Sequence, residues 1–236
     1  DAGGLELWRR LGRALDLSPE ALESGSELLP AVRHVCDEYV ELVRGSDLVT
    51  AVAASLTEYF AGGLMQARIE AWQRHYPFVA EEALAYFRER VTRAPADADF
   101  ALAYVVEHAK SEAQIRRCLD AFEQKCQILW QLLDAVYVAR RLGHKPRLER
   151  RVSLVARSQP GPQQPEQAGV LLVPEQALQL NRTALDLLTQ CNGGTSLGEI
   201  VARLAQEHSL PLERVQMDIA SFVGELERRR VLVFSA

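Results

Sequence analysis

Residues 55–90 read SLTEYFAGGLMQARIEAWQRHYPFVAEEALAYFRER. The spacing predicts two helices joined near Pro77, whose ring cannot continue a helical hydrogen-bond ladder. Glu58, Arg68, Tyr86 and Arg90 stand where a purely structural helix would carry apolar side chains. On helical spacing Glu58 is flanked by Ala51, Ala54, Ala61, Gly62 and Met65, and Arg68 by Ala61, Leu64, Met65, Ala71 and Trp72. Further along, Lys125 has Cys118, Ala121, Phe122, Ile128, Leu129 and Leu132 around it. Such a charge either snorkels to the edge of its stripe or is buried beside a counter-charge. Three of them on separate stripes point to a polar pocket inside a helical bundle, and the excess of cations points to an anionic, carboxylate-rich small molecule. Tyr86 and Arg90, four residues apart, share a face that could hold a carboxylate and offer a phenol for proton transfer. A structural Tyr/Arg pair has the same spacing.

Outward from this stretch, helices are expected over 5–15, from Pro19 behind an N-cap at Ser18, over 28–44 and over 48–60. Gly62-Gly63 could bend the chain before 64–75. Helices over 79–93, 100–108 and 111–142 follow, with 94–97 (APAD) as a turn. No strand is expected before residue 148, so 1–145 reads as an all-helical bundle. Residues 146–236 read as a second, α+β domain. Strands are expected over 151–155, 169–173 and 176–180, with a Pro/Gln-rich loop (158–168) between the first two. Three helices come next: Asn181 caps one ending at Cys191, Thr195 or Ser196 caps the next, and 212–229 is the last. Residues 231–234 read as a short apolar tail.

The totals narrow the function. A chain of 236 residues with 48% hydrophobic and 25% charged residues is ordinary globular protein. Its net charge of −5 argues against nucleic acid, as does the lack of an interleaved basic face on the last helices. No apolar run approaches the roughly 18 residues a membrane span needs, and the start (DAGGLELWRRLG) lacks the pattern of a signal peptide. Cys36, Cys118, Cys126 and Cys191 form no framework and read as reduced thiols of a cytoplasmic protein. The five histidines have no metal-ligand spacing, no nucleophile triad is recognisable, and neither glycine pair matches a phosphate loop. A chain that begins at Asp1 is expected to be a fragment or a processed form.

The strings SLTEYFA, QARIEAW, HYPF, AYFRERVTRAPADADFALAYV and FEQKCQILWQLLDA resemble the C-terminal two-thirds of PqqC, pyrroloquinoline quinone synthase. GVLLVPEQALQLNRTALDLLTQCNGGTSLGEIVARL and FVGELERRRVL resemble PqqD of the same pathway, so the order is that of a PqqC/PqqD fusion. The resemblance implies a partial haem-oxygenase-like bundle followed by a winged-helix-like α+β domain. It implies an oxidase that closes the last ring of the quinone precursor with molecular oxygen, without metal or organic cofactor. Arg68, Arg90 and Lys125 would bind substrate carboxylates, Tyr86 with Lys125 would serve catalysis, and Glu58 would hold the cations in place. A form of the family has a histidine at the place of Met65, and the family's N-terminal helices would precede Asp1.

For the second domain, the resemblance implies binding of the precursor peptide PqqA and its presentation to the radical-SAM enzyme PqqE. The mode would be strand addition on Gln176, Ala177, Leu178, Gln179 and Leu180, with Arg214, Gln216 and Asp218 at the rim. A homodimer with neither nucleic acid nor membrane as partner is implied as well. The competing expectation is a catalytically inactive bundle that scaffolds a domain recognising a ribosomally made, modified peptide.

Overall fold

A computed structural model of the chain describes residues 3–25, 28–156 and 168–235. Its mainly helical first part and small α+β second part are the class expected from the sequence. In chain order the helices of the first part are α1 (Gly4–Ala14), α2 (Pro19–Ser24), α3 (Pro30–Arg44), α4 (Leu48–Ala54), α5 (Ala61–His75), α6 (Ala85–His108) and α7 (Glu112–Ala139). Then come β1 (Lys145–Leu148), β2 (Ser153–Ala156), β3 (Gly169–Val173), β4 (Gln176–Leu180), α8 (Arg182–Gln190), α9 (Leu197–Glu207), α10 (Leu212–Arg228) and β5 (Leu232–Ser235). The chain divides into two units, Asp1–Leu28 with Asp37–Leu129, and Leu29–Cys36 with Trp130–Ala236.

In the first unit, local chemistry sets the helix starts. Ser18 accepts a hydrogen bond from the Ala21 amide with Pro19 at the first helical position, and Asp47 accepts from the Thr50 amide. Two expectations need correcting. The helix expected over 48–60 ends at Ala54 and tightens into a 3-10 segment, Ser55–Phe60, as the Ser55 hydroxyl bonds back to the Val52 carbonyl. The turn expected at 94–97 does not exist. α6 runs through it with Pro95 inside, after a short 3-10 turn at Glu81–Leu84. A proline removes one donor but keeps a helical φ, and the buried Ala94, Ala98 and Ala101 favour an unbroken helix against its neighbours. The loss falls on the Val91 carbonyl. Gly62 of α5 packs there, and a Cβ on Gly62 would stand 3.0 Å from both that oxygen and the Pro95 ring.

Among the described residues two small cores hold this unit. One gathers Leu11, Ile69, Val79, Leu84 and Phe87, with Met65, Trp72 and Tyr86 packed on it. The other joins Ala53, Val105 and Cys118. The expectation of no bilayer-length apolar run is corrected too. By length and composition the helical stretch Leu48–His75 suffices for a membrane span, although the 3-10 segment interrupts it.

In the second unit the helix caps are again local. Asn181 accepts from the Ala184 amide, and Ser196 with Glu199 forms a reciprocal capping box. β2, β3 and β4 form an antiparallel sheet in the order β2-β3-β4, with Leu171 opposite Leu154 and Leu178. The strand expected at 151–155 starts two residues later, at Ser153. The expected apolar tail is β5, which pairs antiparallel with β1 from Lys145↔Ser235 to Leu148↔Leu232. β1 corrects the expectation of no strand before 148. Its sequence, KPRL, has no alternation to read, and its partner lies at the other end of the domain. Of the loop expected at 158–168, residues 158–167 lie outside the described residues.

One continuous core, with Leu171, Leu188, Ile200, Leu204, Val223 and Leu232 among its members, holds this unit together. At its margin the buried Asp134 of α7 accepts two hydrogen bonds from Arg228 of α10, at 2.5 and 3.4 Å. Gly224 makes the approach possible, because a Cβ there would stand 2.6 Å from the carboxylate. Arg228→Met strands that carboxylate and is expected to cost about 3 kcal/mol. The exposed Arg214→Met should cost under about 0.5 kcal/mol. Urea denaturation of both variants checks the difference.

Candidate functional site

The polar residues of the 55–90 stretch meet in the first unit. The 3-10 segment turns Glu58 toward α6, where Arg90 Nη2 donates to Glu58 Oε2 at 2.5 Å. The other arm, Arg90 Nη1, donates to Asp97 at 2.9 Å. Asp97 becomes a partner because α6 is unbroken: seven residues are two helical turns, so 90 and 97 share a face. Burial works against the charge on Arg90. The hydrogen bonds to Glu58 and Asp97 outweigh it and raise its pKa, with the nearby Tyr86 adding to the effect.

Lys125 of α7 places its ammonium 3.0 Å from the centre of the Tyr39 ring, a cation-π contact. Burial, reinforced by the Glu58 charge, pushes the Tyr39 phenol above its ordinary pKa. Lys125, Tyr39, Glu58, Arg90 and Tyr86 therefore form one electrostatic neighbourhood. Tyr86 also packs on Trp8 of α1, ring centres 4.7 Å apart, and meets Phe87 edge-on.

Arg68 is apart from this group. It is half-buried on α5 and makes no side-chain hydrogen bond or ion pair among the described residues. Met65 packs in the apolar cluster around Phe87. Sequence reasoning missed two members. Tyr39 fits an apolar stripe without calling attention to itself, and Asp97 was expected in a turn. Among the described residues no group of three or more His, Cys, Asp or Glu side chains could hold a metal.

An apolar groove of about 590 Å³ also lies in this unit, lined by Leu56, Phe60, Val105, Ile115, Leu119 and Phe122. At its rim the Tyr59 hydroxyl donates to Asp99 at 2.8 Å.

In the second unit β4 is an edge strand, paired only with β3 among the described residues. Gln176, Ala177 and Gln179 are exposed, Leu178 is half-buried and Leu180 is in the core. Arg214 and Asp218 are exposed on α10 and pair with each other at 3.2 Å, while Gln216 is half-buried. The end of α10 that meets β4 is the other one: Arg229 donates to the Gln176 side chain at 3.2 Å. There a groove of about 650 Å³ opens, with Arg151, Arg229 and Arg230 on its walls and Val173, Val231 and Val233 among its apolar lining. The sequence marks Gln176 as part of the expected peptide edge, but no local signal joins it to Glu149, Arg151 and Val233, because the walls come from three separate stretches.

The TENA/THI-4/PQQC family profile matches residues 1–135. The chain belongs to this family. A second profile, coenzyme PQQ synthesis protein D (PqqD), matches residues 168–232, so the order is that of a PqqC/PqqD fusion. Members of the TENA/THI-4/PQQC family similar to this chain include the pyrroloquinoline-quinone synthase of Gluconobacter oxydans, 45% identical over 144 residues, which are 61% of this chain and 60% of that one. The synthase of Xanthomonas campestris is 44% identical over 137 residues, 58% of this chain and 55% of its own. That of Granulibacter bethesdensis is 42% identical over 135 residues, 57% and 53% of the two chains. The chain thus matches about 60% or less of the length of these relatives.

Because the Glu58 carboxylate disfavours a second negative charge nearby, Glu58→Gln is expected to lower the Tyr39 pKa toward that of a free phenol, about 10. Ultraviolet titration of the phenolates, with Tyr39→Phe subtracted as reference, reads the shift.

Proposed function

We propose that the chain acts in pyrroloquinoline quinone biosynthesis. The helical unit carries out oxygen-dependent ring closure and oxidation of the quinone precursor, and the α+β unit binds the precursor peptide PqqA for the radical-SAM enzyme PqqE. The observation that carries this reading is the cluster around Glu58 and Arg90, on a chain of the TENA/THI-4/PQQC family that continues into a PqqD segment.

In this reading Arg68, Arg90 and Lys125 hold the carboxylates of a polyanionic substrate. Arg68 has no counter-ion among the described residues, and Lys125 lies over the aromatic face of Tyr39 beside the Glu58–Arg90 pair. Tyr86 moves a proton, assisted by the cationic field of Lys125, and Glu58 with Asp97 fixes the Arg90 guanidinium. Molecular oxygen is the co-substrate, and no metal or organic cofactor takes part. The protein's work is positioning and electrostatic stabilisation. The PqqA peptide adds as a strand to the free edge of β4, with Arg214 and Asp218 at the rim. The working form is a cytoplasmic homodimer.

A second reading, an inactive bundle that scaffolds peptide recognition, is favoured by one observation. Arg90 is already neutralised by two carboxylates, and Met65, on an apolar cluster, offers no proton.

Two experiments separate and test these readings. With the quinone precursor in air, the chain should develop the quinone's absorbance, and Lys125→Ala should slow it about a hundredfold; no turnover favours the scaffold. Calorimetry should detect binding of the PqqA peptide, weakened at least about tenfold when alternate peptide amides are N-methylated and can no longer pair with β4. Lack of binding would defeat the peptide reading in both forms.

A further inference from the structure

We propose that the groove at the C-terminal end of α10 docks an acidic segment of an extended peptide, with one side-chain carboxylate between Arg151 and Arg230. This rests on the peptide-binding reading above and carries the peptide's path beyond the β4 edge, since Gln176, the first residue of β4, also lines the groove.

Charge is the first argument. Among the described residues the side chains of Arg151 and Arg230 make no hydrogen bond or ion pair. Their neighbours behave differently: Arg228 is held by Asp134 and Glu225, and Arg229 by Glu225 and Gln176. Among the described residues the only carboxylate lining the groove is Glu149, which bonds neither arginine. Two unmatched guanidiniums on a chain with net charge −5 select an anion.

The lining is the second argument. Val173, Val231 and Val233 give the groove an apolar part, so an occupant must bury aliphatic surface as well as present charge. A free phosphate or a small carboxylate meets only half of that requirement. Among the described residues β5 is paired on one edge only, by β1, and leaves backbone groups for an extended chain. An extended peptide puts alternate side chains on one face, so an acidic residue and a valine-like residue can enter together.

The backbone is the third. Arg230 and Glu175 both take positive φ, 56° and 65°, though neither is glycine. At Arg230 the helix end imposes this geometry: its amide bonds to the Glu227 carbonyl at 2.9 Å, and the Val231 amide to that of Leu226 at 2.8 Å. The position of Arg230 in the groove wall is therefore fixed by the backbone before any ligand arrives, at a conformational cost that glycine would avoid.

The test uses the full chain and a fluorescein-labelled octapeptide, Glu-Thr-Val-Thr repeated twice, which puts Glu and Val on one face of an extended chain, read by fluorescence anisotropy against the same peptide with Gln for Glu. The Glu peptide should bind at least about tenfold more tightly, and added salt should weaken it. Arg151→Gln and Arg230→Gly should each weaken binding about fivefold, the size of one exposed charge-assisted contact. Arg203→Gln, on the exposed face of α9, should change nothing. Arg230→Gly suits the positive φ, so lost binding in that variant cannot be ascribed to misfolding. Equal binding of the two peptides, or an equal loss in Arg203→Gln, overturns the proposal, and so does complete displacement by millimolar inorganic phosphate. If PqqA binds as before to both groove variants, this inference fails and the recognition reading stands. If the Glu peptide behaves as expected while PqqA does not bind, the inference stands and that reading fails.

Discussion

Arg90 ties the 3-10 segment to α6, alongside the Tyr59–Asp99 hydrogen bond, and sets the direction of the charges between them. One arm fixes the 3-10 segment through Glu58, and the other closes on its own helix through Asp97. Glu58 then acts on Tyr39, and Tyr39 carries Lys125. The ion pairs are half-exposed and contribute only about 1 kcal/mol each, so their importance is directional rather than energetic. They decide which way the charged groups face. The second unit has a deeper counterpart in Asp134 and Arg228, where the carboxylate is buried and glycine makes room for it.

The two units are held by different means. The second encloses one continuous apolar core, to which α8, α9 and α10 each contribute fully buried leucine, isoleucine or valine. Among the described residues the first has two small clusters, buries alanines such as Ala54, Ala61, Ala94, Ala98 and Ala121 outside them, and leaves Phe60, Phe100, Val106 and Leu119 largely exposed. Close helix approach through small residues replaces bulk there, which explains why single glycines and alanines matter so much to its geometry.

What could be read from the sequence follows the range of the interactions. The caps at Ser18, Asn181 and Ser196 are settled within three residues, and so were legible. β3 and β4 were legible to the residue, because a two-residue turn at Pro174-Glu175 separates them. β1 was not, since its pairing with β5 spans the whole domain and Pro146 argues locally against a strand. Glu58, Arg68 and Lys125 drew attention as charges on apolar stripes, and Arg90 through its spacing to Tyr86. Tyr39 did not, because a tyrosine is at home on such a stripe until a lysine is placed over its ring. Pro95 misled for a physical reason: its local preference for a break is overridden by the buried alanines on either side of it.

Pro95 and Gly62 are linked more tightly than their separation in the chain suggests. The proline leaves the Val91 carbonyl without its helical donor, and the glycine brings a second helix close enough to cover that oxygen. A side chain at 62 would push the helices apart over the very carbonyl the proline exposes. Replacing the proline would remove its ring from beside position 62, while the Val91 carbonyl would still limit what fits there. A side chain can enter at position 62 only if both the ring at 95 and the α6 backbone at 91 give way, so the close approach of α5 and α6 is fixed by these residues together.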